Sequence, residues 1–149
     1  METYEQLKDR QTKEVNDFPM GFAFSEKQFE EVMEKLGLKP TDTDKVVRLG
    51  SLGGFCRKDD AKSFHEMFAR HDKEMEDAIA ADTTGDGFIY EMFLYELKNY
   101  EYCVAFSAQT TLEALGISRK RIAESPSLSH GFHKARREEE AWAEANGFM

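Results

Sequence analysis

The densest set of potential metal ligands lies between residues 82 and 93. Asp82, Thr84, Asp86, Gly87 and Ile89 occupy relative positions 1, 3, 5, 6 and 8 of a calcium loop of the EF-hand type. Such a loop closes with a bidentate glutamate at position 12. Here position 12 is Phe93, and the nearest acid, Glu91, is at position 10. The same residues serve equally as an acidic turn in which Asp86 or Gly87 caps the following helix. No metal site is expected.

The four histidines, His65, His71, His130 and His133, make no ligand set. His65 and His71 are six apart, so on a helix their rings point about 120° away from each other. His130 and His133 share a face, but zinc needs three or four ligands and no nearby cysteine completes the site. Cys56 and Cys103 show no histidine partner for nucleophilic chemistry. They read as reduced thiols rather than a disulfide scaffold. The stretch Gly50 to Gly54, with Gly53 and Gly54 at its end, offers backbone N–H groups to a phosphate. It lacks the Gly-Lys-Ser/Thr ending of a P-loop, and a tight hairpin demands glycines just as strongly.

Two groups of polar residues remain. Glu91, Tyr95, Asn99 and Tyr102 recur at spacings of four, four and three, a polar and aromatic stripe on a helix. That stripe could line a ligand pocket, or its members could hydrogen-bond one another inside the domain. Asp72, Glu74, Glu76 and Asp77 crowd one stretch and are expected to be exposed, as a surface for a basic partner. They sit within residues 61–106, where ten acids face four bases.

These groups need elements to position them. The 149 residues carry a formal net charge of −9, with 40% hydrophobic and 33% charged residues, a balance that suits a folded domain. The acidity disfavours nonspecific binding to nucleic acid or anionic membrane. No apolar run approaches the roughly 20 residues of a spanning helix. Residues 1–5 lack the basic-then-apolar layout of a signal peptide, and a cytoplasmic location is expected.

Residues 1–20 are weakly periodic and are expected to be poorly ordered or loosely helical. Residues 21–149 are read as one helix-rich domain. Ser25 and Gln28 form a capping-box pattern before the apolar face Phe29, Val32, Met33 and Leu36, and Gly37 is placed to end that helix. Val46–Leu49 and Phe55–Arg57 read as a hairpin. A helix runs from a cap at Asp59 or Asp60 to about Ala81. The segment Phe88 to Tyr100 is apolar on nearly every side, the pattern of a central, buried helix. Tyr102–Phe106 reads as a short strand or an extended exit. A short helix near Thr111–Leu115 ends at Gly116, and Ser118 caps another turn or two. Ser125-Pro126 breaks the chain before a last helix from about Leu128 to Asn146. That helix carries Phe132, Ala135 and Trp142 inward, with Glu138, Glu139 and Glu140 in solvent. The fold class is α+β: helix-dominated, with a small β-hairpin and a central, nearly all-apolar helix.

Several stretches together resemble a family of small proteins of unknown function found in Firmicutes and in their phages and plasmids. These are Phe22-Ala23-Phe24-Ser25, the run Thr84 to Leu97 followed by Asn99-Tyr100-Glu101-Tyr102, Leu112 to Gly116, and His130 to Ala135. In many members of that family a histidine follows the asparagine, where this chain has Tyr100. The resemblance implies no activity and no catalytic residues. It implies a setting of mobile genetic elements.

The expectation is therefore a non-catalytic, acidic binding protein that inhibits or modulates a host system such as an immunity nuclease. Its partner would be a basic protein, with no direct nucleic-acid contact, no membrane and no cofactor. One alternative is a small-molecule or nucleotide binder using the Gly-rich turn and the tyrosine stripe. Another is a divalent-metal-dependent enzyme acting near Asp82 and Asp86.

Overall fold

The computed structural model describes residues 2–50 and 53–148. The turn expected at Gly50–Gly54 lies partly outside them, at Ser51 and Leu52. The fold is helix-dominated α+β, with eight α-helices and a three-stranded antiparallel sheet among the described residues. The chain divides into two compact units, residues 11–73 and residues 1–10 with 74–149. The division falls inside helices α1 (Tyr4–Asp17) and α3 (Ala61–Ala81).

The smaller unit holds the sheet. The expected hairpin is present as β2 (Val46–Leu49) and β3 (Gly54–Arg57), antiparallel, with Val47 opposite Cys56. A third strand, β1 (Met20–Phe22), pairs on the other side of β3, with Gly21 opposite Phe55. Helix α2 (Glu26–Lys35) begins as its residues dictate: Ser25 Oγ accepts from the Gln28 N–H, and Gln28 Oε1 accepts from the Phe24 N–H. It ends at Gly37, whose positive φ lets the Leu38 N–H reach the Met33 carbonyl. Met33, Leu36 and Phe55 form this unit's small core.

The larger unit is built around α4 (Phe88–Asn99). Phe88, Ile89, Met92, Phe93 and Leu97 are all buried, as the predominantly apolar run requires. Residues 102–106 do not form a strand: α5 (Tyr102–Ala105) is a single helical turn between Glu101 and Phe106, both with positive φ. Helices α6 (Gln109–Leu115) and α7 (Arg119–Glu124) follow, with Gly116 ending one and Ser118 capping the next. Ser125-Pro126 opens α8 (Pro126–Ala145) rather than breaking it, because proline's missing N–H is spare at a first helical position.

Helix α8 corrects one expectation. Its buried stripe is Leu128, Phe132, Ala135, Glu139 and Ala143. Those spacings average more than the 3.6 residues of a turn, so the stripe drifts around the helix. Trp142 is left 48% exposed and stacked on Phe148, and Glu139 is buried in its place. Close packing fixes α8 against the 82–87 loop and α4. A Cβ on Gly131 would lie 2.6 Å from Ile89 Cγ2 and 2.7 Å from the Gly85 carbonyl oxygen. No helix among the described residues is long and apolar enough to cross a membrane.

Candidate functional site

A polar network ties the start of α1 to α4. Thr3 and Gln6 cap α1 reciprocally: Thr3 Oγ1 accepts from the Gln6 N–H, and Gln6 Oε1 accepts from the Thr3 N–H. The next residue, Tyr4, donates its hydroxyl to Glu96 Oε2 at 2.6 Å, and one turn on Lys8 Nζ lies 3.0 Å from both Glu96 oxygens. Asn99 Nδ2 donates to Glu96 Oε1 at 3.1 Å. Glu96 is buried, so these partners offset the cost of taking its charge out of water. Burial, and then the Glu96 carboxylate beside it, pushes the Tyr4 phenol far above its ordinary value. Lys8 Nζ also stands 4.8 Å from the centroid of the Tyr95 ring.

Beside this network opens a groove of about 330 Å³, lined by Thr3, Glu5, Glu91, Leu94, Tyr95 and Lys98. Glu91, Tyr95 and Lys98 are four and three residues apart on α4, so they share a face. Glu5 and Glu91 are exposed and have no hydrogen-bond or ion-pair partner among the described residues.

The expected ligand residues thus separate. Glu91 and Tyr95 line the groove, and Lys98 takes the place the spacing assigned to Asn99, which is held by Glu96. Tyr102 lies beyond α4, in α5. Its hydroxyl donates to Glu140 Oε1 at 2.6 Å and accepts from Arg136 Nε at 3.1 Å. Burial, and then Glu140, raises its pKa. Gly53 and Gly54 belong to the smaller unit, beside and in β3, where added Cβ atoms would meet Phe24 and Phe22. Thr3, Glu5, Leu94 and Lys98 are groove residues that the spacing argument missed. The α1–α4 adjacency that collects them spans some ninety positions of chain.

The acidic group on α3 also divides. Asp72 belongs to the smaller unit, and the other three to the larger. Glu74 is only half-exposed and is paired with Arg10 at 2.9 Å, so it is not the open carboxylate expected. Glu76 is exposed and held by Arg121 through both of its oxygens.

The 82–87 loop is an anion receptor for its own aspartate. Asp82 Oδ1 accepts from the Gly85 N–H and the Thr84 hydroxyl, and Oδ2 from the N–H groups of Gly87 and Ile89. Gly87 holds the N-cap position of α4, as expected, and Asp82 Oδ2 supplies the side-chain acceptor that glycine lacks, taking the Ile89 N–H. Burial works against its ionisation, but the N–H groups of Ile89, Gly85 and Gly87 outweigh it and hold the carboxyl below its ordinary value. Asp86 turns to His130 Nε2 at 2.6 Å and Lys134 Nζ at 3.2 Å, and those two hold its pKa down. These oxygens are directed at donors, not converged on a cation. Among the described residues no three His, Cys, Asp or Glu side chains are grouped to hold a metal ion. Cys56 is buried, which raises its thiol pKa.

A model of a family of unknown function matches residues 3–138, nearly the whole chain. The chain belongs to DUF7659. The family's match takes in every residue of the groove and of the Glu96 network, and stops four residues before Trp142. No curated protein and no solved structure matches the chain.

Proposed function

We propose that this DUF7659 protein is a non-catalytic binding protein whose larger, acidic unit engages a basic protein partner. One observation carries the reading: the charge is segregated. Residues 1–10 and 74–149 hold 17 acids and nine bases, a net of −8, whereas residues 11–73 hold 12 and 11, a net of −1. Net charge concentrated in one unit steers an oppositely charged partner toward that unit. The resemblance to proteins of phages and plasmids supplies the setting we propose, inhibition or modulation of a host system. An immunity nuclease, whose DNA channel must be basic, is the partner class that fits.

The test is capture of host proteins on the immobilised full chain. The reading expects one basic protein that elutes as salt rises from about 0.05 M to 0.5 M, the range over which exposed charges become screened. A neutral partner retained at high salt would overturn it. A rise in melting temperature with calcium, magnesium or manganese, reversed by EDTA, would favour the metal-dependent alternative instead.

A further inference from the structure

We propose that the groove lined by Glu5, Glu91 and Tyr95 is the seat of an arginine side chain from the basic partner. This inference rests on the reading above and gives it an address. Several carboxylates of the larger unit are committed, and Asp9, Glu101, Glu138 and Glu144, which are not, lie outside the groove. Glu2 and Glu74 hold Arg10, Glu76 holds Arg121, Asp82 holds backbone N–H groups, and Asp86 holds His130 and Lys134. Glu96 holds Tyr4 and Lys8, and Glu140 holds Tyr102. Glu5 and Glu91 hold nothing among the described residues, yet they come from two helices to one cavity.

The other walls fit the same occupant. Tyr95 and Leu94 supply a flat aromatic and an aliphatic surface, and a guanidinium combines a planar cation with an apolar stem. Lys8 Nζ already lies over the Tyr95 ring, so the ring offers the arginine stem apolar contact rather than an open cation–π face. Lys8 is itself neutralised by Glu96, so it leaves the Glu5 and Glu91 charges uncompensated. Lys98, the one lysine in the lining, offsets one of the two carboxylate charges, so Glu5 and Glu91 still leave the groove net negative. A volume of about 330 Å³ is at the small end for ligand pockets, enough for one side chain rather than a large metabolite. Five donors in a fixed fork let one guanidinium bridge two carboxylates, which an ammonium point charge does less well.

The experiment titrates nona-arginine into the isotopically labelled full chain and follows the backbone amides by NMR. It compares the wild type with Glu5→Gln/Glu91→Gln and with a control of equal charge change, Glu138→Gln/Glu144→Gln, whose exposed carboxylates lie outside the groove. The expected result has its largest shifts at residues 3–5 and 91–98. The groove variant loses at least tenfold in affinity and the control less than twofold. Nona-lysine binds the wild type more weakly than nona-arginine. Equal losses in the two variants, with diffuse shifts, would overturn the groove while leaving the acidic-surface reading intact. No binding by the wild type at low salt would overturn both. All four substituted residues are exposed, so an unchanged melting curve verifies that each variant is folded.

Discussion

The two units solve the placement of charge in opposite ways. Residues 11–73 nearly balance their charges and bury a small core of Met33, Leu36 and Phe55, while Phe22 and Phe24 stand open. The larger unit carries almost all of the net charge, and among the described residues it buries Glu96 on the otherwise mostly apolar α4, together with Thr111 and Glu139. Its excess acid is therefore not a uniform coat. Part of it is consumed in networks that hold the fold, and only the remainder is free to meet other molecules. Negative charge counted along a sequence overstates the surface available to a partner.

The largest expected difference between the units concerns glycine. Gly131→Ala in the larger unit drives a Cβ into Ile89 and the Gly85 carbonyl. It should cost about 3 kcal/mol or more, read as a lower urea midpoint. Gly37→Ala in the smaller unit meets open space and violates only a positive φ, so about 1 kcal/mol is expected. Similar losses at the two positions would erase the contrast in packing.

The Glu96 network comes next. Tyr4→Phe removes a hydrogen bond to a buried carboxylate and should cost about 2 kcal/mol. The phenol's folded pKa is raised, so its contribution is complete below the unfolded value of about 10 and declines as pH rises beyond it. Denaturation curves at pH 8 and pH 11 should converge for the wild type and Tyr4→Phe. A constant gap between them would mean that the hydroxyl is not bound to Glu96.

Asp82→Asn should cost about 1–2 kcal/mol at neutral pH, since the amide offers one acceptor where the carboxylate offers two. Asp82 has a lowered folded pKa, so its contribution is present above the unfolded value near 4 and disappears as pH falls through the lower folded value. Acid titration of the wild type should therefore close the gap to the variant below about pH 4.

The smallest effect has the opposite sign. Glu139 is buried as a residue, with carboxylate oxygens that reach solvent instead of a protein partner among the described residues, and burial raises its pKa. Glu139→Gln should stabilise the protein by on the order of 1 kcal/mol at pH 7, less at pH 4. A destabilised variant at pH 7 would show that this charge is needed where it lies.

Local chemistry was legible in the sequence, and tertiary partners were not. Ser25 and Gln28, Gly37, Gly116 and Ser118 mark helix ends because their side chains or their freedom at positive φ act within a few residues. The α4 run reads as buried because apolar residues dominate it, with only the Glu91, Tyr95 and Lys98 face left to the groove. The partnership of Tyr4 with Glu96 crosses 92 positions, and no spacing rule connects them. Trp142 and Glu139 exchange roles because a drift of a fraction of a turn per repeat decides which one faces inward. Three-residue β1 is too short for an alternation to show. The groove illustrates the limit most directly: Glu91 and Tyr95 follow from helical spacing, but Glu5 arrives from another helix.

The most direct test of the account compares the units by charge alone, with nona-arginine as the probe at about 0.05 M and 0.2 M salt. Four exposed glutamates are neutralised in each, Glu5, Glu91, Glu138 and Glu144 in one variant and Glu26, Glu30, Glu31 and Glu34 in the other. The predicted result is a loss of affinity of tenfold or more, and a flatter salt dependence, for the first variant only. Equal losses from both would contradict the assignment of binding to the larger unit.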